Sequence, residues 1–357
     1  MSFIFDLFTQ ESPDGSLGSV LAGVVESIPH TPSRIGGMGL YRADSLLGTT
    51  ASFDVTDMTL ELIDPIGRGD QSSFVDADPY NLVLFKAHSF KRSAKITEEE
   101  VRDIRALGEA AFVGAKAAMA RKLRKPLLEV RMAREWQMLG GIRGYILDKN
   151  GNVISNIFNK LGVEAPAVEE VEDSAFSGDG DFNTFCSEKV DQVADELGAD
   201  GYDHVHCFVT SARMRWIANL QECREAYRYQ QGQTFLQAKK GYGTTFEYGG
   251  VTFETYRGKI NGVDFVSDDE MVFFPVGADN FYAGYAPSTR IVDPATGAEL
   301  EEGKIGQPEF YIPFIDPRGE FEEVQVQSHP LILNLKPRTT IVVRIIEAAE
   351  PAEEPAV

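Results

Sequence analysis

The chain has few basic residues relative to its acidic ones, and this limits its binding partners. Of 357 residues, 34 are Lys or Arg and 55 are Asp or Glu, so the formal net charge at pH 7 is −21. A nucleic-acid-binding surface normally has the opposite sign, because Lys and Arg supply affinity by neutralising phosphates. We therefore expect that the protein does not bind tightly to any DNA that lies near it, and that it has no sequence-specific nucleic-acid binding.

Cysteine is also scarce, and no segment has the pattern of a membrane or export signal. The three cysteines are Cys186, Cys207 and Cys223; they show no CxxC spacing and sit in apolar stretches, where a thiol behaves as a small hydrophobe. This predicts a reducing, cytosolic folding environment. The first residues, "MSFIFDLFTQ", lack a basic flank and are interrupted by Asp6, so we expect neither a signal peptide nor a membrane span.

The motifs of common catalytic and binding sites are missing. The sequence contains no GxxxxGK[ST] phosphate loop and no GxSxG nucleophile elbow. His204 and His206 in "DHVHC" lack a third metal ligand at the usual spacing, and "DKNGN" lacks the Glu that completes a calcium loop. We therefore predict no catalytic residue, no cofactor and no metal, although an unrecognised hydrolase stays open as an alternative from another class.

The elements that the sequence predicts are those of an α+β protein. An extended, Gly- and Pro-punctuated arm is followed by two strands within residues 51–92, which are separated by a polar tip. A long helix is predicted over residues 97–139, with Thr97 and Glu100 at capping-box spacing and Gly140-Gly141 as its end. Later segments predict a helix at residues 181–197, the strand "HVHCFVT", a helix from Thr210 or Ser211, and further strands.

Two glycine turns predict hairpins. "GYILDKNGNVISNIF" turns at Asn150-Gly151, and "FEYGGVTFETYRG" turns at Gly249-Gly250, where two positive φ angles suit a two-residue turn. In the second of these, Glu254 and Arg257 fit structural or inter-subunit contacts better than catalysis. The sequence predicts an arm that cannot fold alone, a protruding hairpin and an overlong helix, and it shows no active site. This combination is typical of a protein that contacts copies of itself.

Six segments in matching order resemble the major capsid proteins of tailed bacteriophages, of the phage lambda head-protein type. They are "SRIGGMGLY", "LELID", "GGIRGYILDKNGNVISNIF", "FEYGGVTFETYRG", "FFPVGADNFYAGYAPS" and "EVQVQSHPLILNLKPR". The resemblance spans residues 33–345. It implies the Hong Kong 97-type capsid fold, in which the arm and an extended loop reach neighbouring subunits.

The resemblance implies a division of the chain, with the Pro- and acid-rich segment as a boundary. The expected parts are an N-terminal arm (1–48), an extended β-hairpin loop (49–92), a peripheral domain with the spine helix (93–162), an acidic linker (163–180), an axial domain (181–305), return strands of the peripheral domain (306–346) and a disordered acidic tail (347–357).

The function that the resemblance implies is that of a major capsid protein. Copies would self-assemble through hexamers and pentamers into an icosahedral shell around double-stranded DNA, with a scaffold protein, a portal and a decoration protein as partners. The expected location is the virion, after assembly in the host cytoplasm. The shell of a cargo-enclosing compartment with the same fold is the alternative within this class.

Charged residues in the arm, the loop and the glycine hairpin are the candidates for inter-subunit contacts. They are Arg34, Arg42, Arg68, Asp70, Glu254 and Arg257. Some proteins of this fold weld their shells through a Lys on the extended loop. The loop tip "PIGRGDQSSFVDADPY" contains no Lys, so we expect a shell without that covalent crosslink.

Overall fold

A computed structural model describes most of the chain. The described residues are 34–54, 82–97, 111–178, 180–229, 237–239, 243–256, 259–260, 263–264, 266–288, 306–315 and 321–346. Several predicted features lie outside them, namely most of the arm, the tip of the loop, residues 98–110 of the long helix, and the acidic tail.

Within these residues the chain forms α-helices and many short strands. The helices are α1 (Arg34–Met38), α2 (Ala111–Ile142), α3 (Ile157–Leu161), α4 (Asp181–Leu197), α5 (Ser211–Asn219) and α6 (Gln221–Tyr229). The strands are β1 (Arg42–Ser45), β2 (Thr50–Asp54), β3 (Leu82–Lys86), β4 (Phe90–Thr97), β5 (Tyr145–Leu147), β6 (Val153–Asn156), β7 (Glu169–Glu172), β8 (His204–Val209), β9 (Gln237–Lys239), β10 (Gly243–Tyr248), β11 (Val251–Thr255), β12 (Lys259–Ile260), β13 (Val263–Asp264), β14 (Glu270–Val276), β15 (Phe281–Tyr285), β16 (Phe310–Ile315), β17 (Phe321–Ser328), β18 (Pro330–Asn334) and β19 (Ile341–Ile346).

Among the described residues, the largest sheet is a mixed seven-stranded one in the order β7-β19-β14-β8-β11-β10-β9. Both of its faces are covered. Phe185 of α4 packs with Cys207 and Phe253 on one face, whereas Ile142 of α2 packs with Phe208 on the other. Successive residues of a strand point to opposite faces, so a central strand such as β8 needs a nearly continuous apolar run.

Smaller sheets surround this core. β1, β15 and β18 form one three-stranded sheet, and β16, β17 and β4 form another. β2 and β3 pair antiparallel. Residues 55–81 between them lie outside the described ranges, so the extended β-hairpin loop stays a prediction. In the described part of the chain, no helix combines the length and the hydropathy that a membrane span needs.

The long helix α2 packs on β4, β5, β17 and β18 and extends for about 48 Å at 1.5 Å per residue. Its buried side chains include Met119, Leu123, Leu127 and Val130, which recur every three or four residues. The helix continues through Pro126.

The predicted C-terminal end of this helix was wrong, and its predicted N-terminal part lies mostly outside the described residues. Thr97 is the last residue of β4, and residues 98–110 lie outside the described ranges. Gly140 and Gly141 lie inside the helix, which ends at Ile142. A Cβ at Gly141 would lie 2.8 Å from Cγ2 of Ile332 and from the Tyr41 hydroxyl oxygen. The glycine therefore permits close packing and does not end the helix.

The locally encoded elements are confirmed. Helices α4 and α5 match the predicted segments, and Thr210 caps α5 by accepting a hydrogen bond from the backbone N–H of Arg213. Gly151 has φ +86° between β5 and β6. Gly249 and Gly250 have φ +56° and +79°, as a two-residue turn between β10 and β11 requires.

Two segments take positions that local patterns did not predict. Within the acidic segment 163–180, β7 pairs in parallel with β19 at the edge of the seven-stranded sheet. Among the return strands, β17 pairs with both β16 and β4, whereas β19 pairs with β14 in the seven-stranded sheet. The division into domains stays a prediction.

Candidate assembly site

An ion pair joins the end of the arm to the glycine hairpin. Nε and Nη2 of Arg34 in α1 donate to the two carboxylate oxygens of Glu254 in β11, across 220 positions of sequence. Glu254 is 1% exposed, and the Arg34 side chain is 16% exposed. The segments "SRIGGMGLY" and "FEYGGVTFETYRG", which carry much of the family resemblance, thus meet at this contact.

A second carboxylate holds the same short helix from the other side. Oε1 of Glu135 in α2 accepts hydrogen bonds from the backbone N–H of Ile35 (2.8 Å) and from the Tyr256 hydroxyl (3.2 Å). Its Oε2 accepts a longer one from the N–H of Gly36 (3.4 Å). A carboxylate at the start of a helix satisfies N–H groups that have no partner within the helix. Glu135 therefore links α1 to α2 and to Tyr256, the residue that follows β11.

His206 of β8 completes this buried group. Its Nε2 lies 3.2 Å from Oε2 of Glu254, although the geometry falls short of a hydrogen bond, and its Nδ1 has no partner within the described residues. Burial, together with the charge on Arg34, lowers the pKa of His206 in spite of the Glu254 carboxylate. We call Arg34, Glu135, His206, Glu254 and Tyr256 the arm-root cluster.

The cluster holds Glu254 firmly in its ionised form. Burial alone would raise the pKa of this carboxyl, but the contacts from His206 and Arg34 outweigh burial and lower the pKa to about 2. Burial and the Glu135 charge raise the pKa of Tyr256, so its hydroxyl remains a donor. The arrangement is a buried set of charges and hydrogen bonds, and its role is structural.

An open groove of about 890 Å³ lies beside the cluster. Arg34, Met38 and His206 line it together with the Gly249-Gly250 turn. Within the described residues, no group of three or more His, Cys, Asp or Glu side chains is placed to hold a metal ion.

The predicted contact residues have different positions. Arg34 and Glu254 contact each other within one chain. Arg42 is exposed on β1, with its guanidinium carbon 5.9 Å from the centre of the Tyr282 ring. Arg68, Asp70 and Arg257 lie outside the described residues.

Sequence reasoning missed Glu135, His206 and Tyr256 as members of the cluster. For Glu135 a signal was present, because its position falls on the face of α2 that also carries Leu139 and Ile142, both buried. A carboxylate on the buried face of a helix is rare unless it has partners. For His206 and Tyr256, the local sequence contains no pattern that predicts which side chains they contact.

Exposed apolar side chains on β3 and on the β5–β6 hairpin form a second feature of the fold. The pleat of β3 turns Phe85 into the core and leaves Leu82 and Leu84 outward, at 64% and 68% exposure. On the β5–β6 hairpin, Val153 and Ile154 are exposed by 54% and 53%. Neighbouring exposed apolar side chains of this kind mark surfaces that contact other molecules.

Comparisons with known proteins agree with the resemblance. The family described as "Phage major capsid protein E" matches residues 19–345. The major capsid protein of Salmonella phage Felix O1 is 25% identical over 255 residues, which cover 67% of this chain and 69% of that protein. A solved structure of a prophage capsid protein from E. coli CFT073 has a TM-score of 0.51 at 12% identity, and the match covers 92% of this chain and 99% of the other.

The family match covers most of the chain and therefore settles the family, while the solved structure supports the fold alone. The Hong Kong 97-type capsid fold is confirmed. The predictions that the chain forms a capsid shell, that it is located in the virion and that it is not an enzyme are confirmed by the family. The chain belongs to the phage major capsid protein E family.

Proposed function

We propose that copies of this chain assemble through hexamers and pentamers into an icosahedral shell that encloses the double-stranded DNA of a tailed phage. Assembly takes place in the host cytoplasm, with a scaffold protein, a portal and a decoration protein as partners. The family supports a shell-forming role. The symmetry, the partners and the enclosed DNA are the parts that we propose.

The exposed leucine face of β3 is the observation that carries this proposal. Leu82 and Leu84 project from a two-stranded sheet whose other face is already packed through Phe85. Leu47 is also exposed, by 73%. Subunits that form rings use heterologous contacts, in which different patches of identical chains meet. The leucine face and the Val153-Ile154 pair supply two such patches.

Charged contacts between subunits complete the proposal. Arg42 is exposed and available for a neighbour. Arg68 and Asp70 in the loop tip, and Arg257 after the glycine hairpin, remain proposed contacts. Surface ion pairs contribute little individually, typically about 0–1 kcal/mol. Their contribution becomes large only when it is repeated around a shell.

The test is electron microscopy of the full chain expressed with its neighbouring genes. Rings or closed shells with sixfold and fivefold units are expected for the natural chain. The double variant Leu82→Glu with Leu84→Glu should not form them, because two carboxylates would be buried at the contact.

The matched control adds the same two charges at other exposed positions, as Ala167→Glu with Ala199→Glu. The control should assemble like the natural chain. Normal shells from the leucine variant would reject the proposed contact, and soluble monomers from the natural chain under every condition would reject the proposed assembly.

A further inference from the structure

One turn and a half of α2 concentrates positive charge in an acidic chain. Arg121, Lys122, Arg124 and Lys125 supply four positive charges within five residues, and all four side chains are exposed. No acidic residue occurs from position 110 to position 128, although the chain contains 55 acidic residues. We call these four residues the basic stripe.

The stripe occupies one side of the helix. At 100° per residue, positions 121, 122, 124 and 125 share one arc, and positions 119, 123 and 127 lie on the opposite arc. Met119, Leu123 and Leu127 are 0–1% exposed. The fold thus buries one face of this segment and directs the four cationic side chains away from the core.

The spacing of the stripe is unfavourable for the helix itself. Residues three and four apart on a helix are neighbours, so like charges at positions 121 and 124, 121 and 125, and 122 and 125 repel one another. Farther along α2, Arg131 forms two hydrogen bonds with the Glu309 carboxylate at 2.8 and 2.9 Å. A polyanion bound to the stripe would relieve the repulsion.

The composition of the stripe fits a phosphate backbone better than a protein surface. Protein interface cores are depleted in Lys; Arg is enriched in them, together with Met and aromatic residues. No exposed apolar side chain interrupts the stripe between residues 121 and 125, where Leu123 is buried. The leucine face of β3 has the composition of a protein contact instead. Arg binds phosphate oxygens with its planar fork, and Lys binds them as a point charge.

We propose that the basic stripe binds the phosphate backbone of double-stranded DNA without reading its bases. The idea rests on the proposed function, in which the shell encloses DNA. It also limits the first expectation from composition: the net charge of −21 opposes DNA binding, while the stripe provides one local positive site. Such binding is weak and falls steeply with salt.

The test measures the affinity of the purified full chain for a short DNA duplex as a function of salt concentration. The stripe variant replaces Arg121, Lys122, Arg124 and Lys125 with Gln. If all four contact phosphates, the slope of log affinity against log salt becomes shallower by about 3 to 4 in the variant. Affinity at low salt should fall by at least about tenfold.

A control variant removes the same charge from exposed positions elsewhere, as Lys149→Gln, Lys160→Gln, Arg215→Gln and Arg224→Gln. It should bind DNA like the natural chain. Circular dichroism checks that both variants fold. The variant Arg121→Lys with Arg124→Lys retains the charge and should retain the salt slope.

Equal salt slopes for the natural chain and the stripe variant would overturn the proposal, as would absence of DNA binding by the natural chain at low salt. If the stripe variant fails to assemble and DNA affinity is unchanged, the stripe is a contact between subunits and the proposal is also overturned. Electron microscopy of the natural chain tests the proposed shell separately, so failure of either proposal is recognised independently of the other.

Discussion

Removing the Glu254 carboxylate should destabilise the subunit more than removing any surface charge. The variant Glu254→Gln keeps the size of the side chain and removes the carboxylate that pairs with Arg34 in a largely buried position. Breaking one side of a buried ion pair costs about 3–5 kcal/mol, because the remaining charge is uncompensated.

The pKa of Glu254 leads independently to a similar magnitude. It lies at about 2 instead of the ordinary 4.5. This difference corresponds to about 3 kcal/mol of folding stability above pH 4.5. Both routes predict a loss of several kcal/mol, which is a large share of the stability of a typical domain.

Urea unfolding of purified subunits, followed by circular dichroism, measures this loss. The matched control is Glu196→Gln, which breaks the Arg338–Glu196 pair (2.7 Å), whose side chains are 49% and 34% exposed. The control should lose less than about 1 kcal/mol. The double variant Arg34→Met with Glu254→Leu should be more stable than Glu254→Gln, since neither charge remains buried alone. If Glu254→Gln costs no more than Glu196→Gln, the reasoning about the arm-root cluster is wrong.

Three further predictions concern acid, the glycine turn and the shell. As pH falls from about 4.5 to 2, Glu254 becomes protonated in the unfolded chain but stays ionised in the folded one, so the free energy of unfolding should decrease. The variant Glu254→Gln should show a flatter dependence of this free energy on pH, and equal pH profiles for the two proteins would contradict the prediction. Gly250→Ala should lower the free energy of unfolding by about 1–2 kcal/mol, because the φ of this residue is +79° although there is space for a Cβ. Gly201→Ala should leave the stability unchanged in the same thermal melt, and equal losses in the two variants would contradict the role of Gly250 in the turn. Assembled shells boiled in detergent should migrate as a single monomer band, since the loop tip has no Lys, and a covalent ladder would refute this.

Local signals predicted those parts of the fold whose cause is local. The turns at Gly151 and at Gly249-Gly250, and the cap at Thr210, depend on a few neighbouring residues. Positive φ angles and cap hydrogen bonds are fixed by residue type, so a sequence displays them directly.

Features that depend on distant partners were missed or mistaken. Gly141 resembles a helix end in the sequence, but Tyr41 and Ile332 approach it in space. β7 becomes a strand because β19 lies beside it, about 170 positions later in the chain. The contact between Arg34 and Glu254 spans 220 positions. The sequence shows the chemical type of each of these residues, but which residue it contacts is determined only when the chain folds.

The arm-root cluster and the leucine face have complementary roles in this interpretation. The cluster uses its charges within one chain, whereas Leu82 and Leu84 remain uncovered in the single subunit. A shell subunit needs both features, because a rigid body must carry surfaces that become buried only on assembly.

A high-resolution electron microscopy reconstruction of particles formed by the full chain tests the central claim most directly. We expect a closed shell in which every copy retains the Arg34–Glu254 pair and has Leu82 and Leu84 covered by a neighbouring copy. Leucines that face solvent in every copy, or an Arg34 that pairs with another subunit instead of its own Glu254, would contradict this interpretation.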